Sequence, residues 1–142
     1  MKTNAKAGER LPSAHLAAML DAYITTALWS SNDESTEQGG EPLDRNYGRE
    51  DLAPETLETM TRDVARFAAA HSEAIESWPG AAGRSDDPYY SAGHDLWLNR
   101  NGHGAGFWDG DWPEPQASEL DAAAKALGSC DLYVGDDGLI YC

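Results

Sequence analysis

His94, Asp95, His103, Asp109 and Asp111 crowd one stretch of the chain, and histidine beside aspartate can form an acid–base pair or ligate a divalent metal. Their spacing matches no recognised catalytic or metal-binding motif. The stretch that must position them, AGHDLWLNRNGHGAGFWD over residues 92–109, holds Asn101-Gly102 between two extended runs. Asn-Gly is a favoured type I′ turn, so the segment reads as a β-hairpin. Its register sets Arg100 opposite His103, Leu98 opposite Ala105, Leu96 opposite Phe107 and His94 opposite Asp109, with Trp97 facing Gly106. His94 and His103 then lie roughly 20 Å apart, too far to share an ion. His94 with Asp109 remains, and a cross-strand hydrogen bond holding the sheet edge is its plainer account. No catalytic residue, metal or cofactor is expected; a small metal-dependent hydrolase ranks third among the functional readings.

Other chemistry-bearing motifs resolve to structure. Gly102-His103-Gly104-Ala105-Gly106 opens no helix and is no dinucleotide loop, and Asp136-Asp137-Gly138 lacks the alternating ligands of a calcium loop. Ser30-Ser31 and Cys130 sit in no nucleophile motif. His71 falls on an apolar stripe and reads as a core or boundary histidine.

The elements around these residues follow from hydrophobic spacing. Leu16, Leu20, Tyr23, Ile24, Ala27 and Leu28 predict a first helix that Ser13 caps and Trp29-Ser30 end. Leu57, Met60, Val64, Phe67, His71, Ile75 and Trp78 predict a second of about six turns, opened by Pro54 and stopped by Pro79-Gly80. Residues 79–91 read as a connection into the hairpin. Leu120, Ala123, Ala124 and Leu127 predict a third helix opened by Gln116 or Ser118 and closed by Gly128; a second hairpin turns at Gly135–Gly138. The fold class is α+β: two N-terminal helices, then an antiparallel sheet of two hairpins with a third helix between them. Residues 1–10 read as a flexible basic tail. Residues 11–142 read as a single domain with a long acidic loop at 31–51.

Charge restricts the partners. Ten Lys and Arg against 25 Asp and Glu leave a net charge of -15 over 142 residues, which argues against direct binding to nucleic acid or an anionic membrane. Self-repulsion favours a soluble monomer or weak dimer, and no apolar run approaches the roughly 20 residues of a membrane span. A cytoplasmic location is expected, where Cys130 and Cys142 would stay thiols although strand pairing could bring them close.

The segments AGHDLWLNRNGHGAGFWD, DLAPET (Asp51–Thr56) and DLYVGDDGLIY together resemble a family of small acidic proteins encoded by tailed phages and prophages, over roughly residues 23 to 141. The resemblance implies an accessory role in the infected host cell. Small acidic proteins of that setting often inhibit host defence, CRISPR effectors and restriction enzymes included, so an anti-CRISPR-like inhibitor is the expectation. A structural or regulatory phage protein, acidic only for solubility, is the alternative.

Between Ser31 and Glu58 stand nine acids against Arg45 and Arg49. Converging, such carboxylates would imitate a phosphate track and occupy the basic nucleic-acid-binding surface of a host protein complex. The candidate partner-binding residues are Asp33, Glu34, Glu37, Glu41, Asp44, Glu50 and Asp51, with Asp109, Asp111 and the aromatic Trp112 at the hairpin edge.

Overall fold

The computed structural model describes residues 13–35, 40–78, 87–108 and 112–142. The stripe of the first helix forms α1, Ser13–Ser30, with Tyr23, Ile24, Ala27 and Leu28 in the core beside Met19 and Ala22. Pro54 takes the first position of α2, Pro54–Ala70, whose Met60, Val64 and Phe67 are buried. The long second helix breaks at His71, where φ is -128° and ψ 26°, and resumes as the short α3, Ser72–Glu76. His71 is the boundary residue expected, its ring 5.0 Å from that of Phe67 and its Nδ1 2.7 Å from Glu119. The basic tail and Pro79-Gly80 lie outside the described residues.

The first predicted hairpin is not one. Residues 88–100 form α4, Pro88–Arg100, capped by the Asp87 side chain, which accepts the Tyr89 N–H at 2.9 Å with Pro88 in the first turn. Asn101-Gly102 closes this helix instead of turning a strand. Gly102 stands at φ +68°, its N–H bonds the Asn99 carbonyl at 3.3 Å, and the His103 N–H bonds the Leu98 carbonyl at 3.0 Å. That pair of bonds is the Schellman helix end, which needs a positive φ as much as a type I′ turn does. The proposed cross-strand pairs, His94 with Asp109 among them, therefore do not exist; His94 rides on α4, and Asp109 lies outside the described residues.

α4 shows no amphipathic period because it is buried almost all round, against α1, α3 and α5. α5 is Gln116–Ala126, as spacing predicts, with Gly128 at φ +79° beyond it. Among the described residues the strands form two separate two-stranded antiparallel sheets: β1 (Asn32–Asp33) with β2 (Glu41–Pro42), and β3 (Tyr133–Val134) with β4 (Ile140–Tyr141). The chain is α+β, with helices packed on one another and the short ladders at the periphery in place of the expected sheet of two hairpins. The 31–51 loop gains this ladder and two 3-10 turns, Leu43–Arg45 and Arg49–Asp51, pinned by the fully buried Leu43.

The long polar side chains of α4 reach partners on the neighbouring elements. Trp97 Nε1 donates to Ser30 Oγ at 2.8 Å, Trp112 Nε1 to Asp95 Oδ2 at 2.7 Å, and Asn99 Nδ2 to Asp121 Oδ1 at 2.9 Å. Asn99 Oδ1 accepts the Phe107 N–H at 2.9 Å and seats Phe107 in the core. Gly106, at φ +153°, permits this, since a Cβ there would strike the Asn99 side chain. Arg100 donates to Tyr23 and Asp63 through Nη1, at 2.9 and 3.1 Å, and to the carbonyls of Leu127 and Gly128.

At the crossing of α1 and α4, a Cβ on Gly93 would fall onto the Met19 carbonyl, which is backbone and cannot swing away. Gly93→Ala is expected to destabilise the protein by about 3 kcal/mol in chemical denaturation, the range of an overpacked core.

Candidate partner-binding face

The acidic segment is assembled against the C-terminal hairpin. β1 lies beside β3, Leu52 bridges to Ile140 in parallel, and the Ala53 N–H donates to the Ile140 carbonyl at 3.0 Å. Strand β4 thus holds the end of the segment that leads into α2. Glu34, Glu41, Asp44, Glu50, Glu55 and Glu58 are exposed along the segment, and Asp131, Asp136 and Asp137 are exposed on the hairpin and its approach.

The remaining predicted residues divide. Asp33 is 5% exposed, and its Oδ1 accepts the backbone N–H and hydroxyl of Ser35 at 2.9 and 2.5 Å, so it closes a turn and offers no carboxylate to a partner. Asp51 is half-buried, with Oδ2 accepting the Gly48 N–H at 2.8 Å. Trp112 is a core residue rather than an interface anchor: it is 4% exposed, packed on Trp78 and Phe107, its indole N–H spent on Asp95. Glu37, Asp109 and Asp111 lie outside the described residues.

The hairpin contributes aromatics that the acid count missed. Tyr133 and Tyr141 pair across the ladder with rings stacked 5.8 Å apart, and Tyr133 is 57% exposed. Their signal was the turn itself: once the Gly135 N–H meets the Leu139 carbonyl, the ladder sets Tyr133 opposite Tyr141. The Tyr141 hydroxyl donates to Asp137 Oδ2 at 2.6 Å. This bond raises the phenol to about 12, and with the Leu139 N–H it lowers the Asp137 carboxyl. Cys130 and Cys142 bracket the hairpin and are joined as a disulfide, Cα–Cα 5.7 Å, a pairing that the sequence left open.

His94 Nδ1 lies 3.0 Å from Asp95 Oδ1, and Asp95 is buried. A histidine oriented by a buried carboxylate is half of an acid–base device. Its exposed neighbour is the Trp29 ring at 6.1 Å. Among the described residues no three His, Cys, Asp or Glu side chains gather to hold a metal ion, and no helix is long and apolar enough to cross a membrane. No protein-family model matches the chain, and no curated protein or solved structure matches it.

Three outcomes follow. Asp137→Asn is expected to bring the Tyr141 titration, followed by NMR of the ring carbon, from about 12 down toward the ordinary phenol value. In the unaltered protein the depressed Asp137 favours the fold above the normal carboxylate range and ceases to as pH falls through its lowered value. The raised Tyr141 favours the fold below pH 10 and ceases to as pH rises through about 12. Replacing both cysteines with serine is expected to cost about 3 kcal/mol in denaturant unfolding, the loop-closure value for a ring of this size.

Proposed function

We propose that this protein acts by binding, as a phage-type inhibitor that engages the basic nucleic-acid-binding surface of a host defence complex and blocks it. The observation that carries the reading is the exposure of six carboxylates on residues 34–58 beside those of the adjoining hairpin. Such a face repels nucleic acid and anionic membranes and attracts a surface built to hold phosphates. The resemblance to small acidic phage proteins supplies the setting, a host cell whose nucleic-acid-handling enzymes expose such surfaces, and supports an anti-CRISPR-like role in its cytoplasm. In that reducing compartment Cys130 and Cys142 would stand as thiols, and the cystine belongs to oxidising conditions.

The test is DNA cleavage by a purified CRISPR effector complex with the protein added over a range of salt. Inhibition is expected to weaken steeply as salt rises. The combined variant Glu41→Gln, Asp44→Asn and Glu50→Gln is expected to inhibit roughly tenfold less well, mainly through slower association. Full cleavage at low salt across several basic effectors would overturn the reading and leave the acidity as a solubility device.

A further inference from the structure

We propose that the C-terminal hairpin is a docking site for an extended, arginine-bearing segment of a protein partner, with Tyr133 as its anchor. The inference rests on the binding reading above and adds to it the element and the side-chain chemistry recognised. The stack with Tyr141 accounts for one face of the Tyr133 ring, yet Tyr133 remains 57% exposed, more than any other large apolar side chain described. Exposing a ring so fully on a two-stranded ladder forgoes burial that a neighbouring element would have given.

Cavities flank the ring. One of about 150 Å³ lies between Tyr133 and Glu34, and a second of about 150 Å³ lies between Tyr133 and Glu55. A third, of about 240 Å³, continues from Glu34 to Asp131 and His103. Because neighbouring cavities share Tyr133 or Glu34, they form a row along the hairpin. Carboxylates line all three, and no lysine or arginine lines any of them.

That combination selects its occupant. A bare aromatic face between carboxylates attracts a cation, and the planar guanidinium both stacks on the ring and offers a fork of donors to a carboxylate. A row of depressions along a strand suits alternate side chains of an extended chain. A second copy would bring the same negative face and be repelled.

The probe is a short synthetic peptide alternating arginine with glycine, alongside a twin in which neutral citrulline replaces arginine. Binding is followed by amide chemical shifts of the full chain in low-salt buffer. Saturable shifts at residues 131–134 and around Glu34 and Glu55, absent with the citrulline twin, are the expected result. Tyr133→Ala is expected to weaken the peptide roughly two- to fivefold, the worth of an exposed cation–π contact, while Tyr133→Phe retains it. Glu55→Gln, which leaves the tyrosine pair intact, is expected to weaken it as well. Shifts confined to residues 41–50 and indifferent to Tyr133→Ala would overturn this site while leaving the binding reading standing. An absence of saturable binding anywhere on the acidic segment or hairpin would overturn both.

Discussion

The close approach of α1 and α4 at Gly93, where only a hydrogen stands between one helix and the Met19 carbonyl of the other, is the constraint on which the rest of the structure depends. It draws α4 into the middle of the molecule, and a helix buried almost all round can turn few of its polar residues to water. Ser91, Asp95, Asn99 and the arm of Arg100 are all inside. Their needs place the neighbours: Asp95 fixes the Trp112 indole, Asn99 fixes Asp121 and the Phe107 backbone, and Arg100 gathers α1, α2 and the end of α5. An unpaired group at any of these points would cost about 1–3 kcal/mol, so the polar set specifies one arrangement more sharply than apolar contacts would.

That centrality explains what could be read from the residues alone. The amphipathic helices α1 and α2 were legible because each turns one face to water, and the final hairpin because its glycine turn separates two short apolar runs. α4 was not, since a helix with so little wet surface has no period to detect. Asn101-Gly102 pointed toward a hairpin because positive φ serves two different structures. Asp87-Pro88 was the overlooked signal: an acid able to cap, followed by a proline suited to a first turn. The acids of the candidate face were legible as a count and less so as a surface. Asp33 is taken inside by Ser35, which no charge count anticipates, and the pairing of the segment with the hairpin depends on a bridge between distant residues.

Negative charge is distributed with the same logic. Acids that enter the interior, Asp33 and Asp95, do so only where donors meet them, and most of the others in residues 31–58 stay at the periphery, where water screens their mutual repulsion. The histidine–aspartate motif belongs to the same interior, with Asp95 shared between His94 on the surface and Trp112 beneath it.

The parallel bridge from Leu52 to Ile140 has a consequence for the order of assembly. The acidic segment leaves the ribosome long before the strand that secures it, and the helices that form the core can settle in the interval. The face can therefore be completed only once the hairpin is in place. A nascent or truncated chain without its hairpin would carry every carboxylate of the segment yet lack the arrangement, so competence to bind would mark a finished molecule.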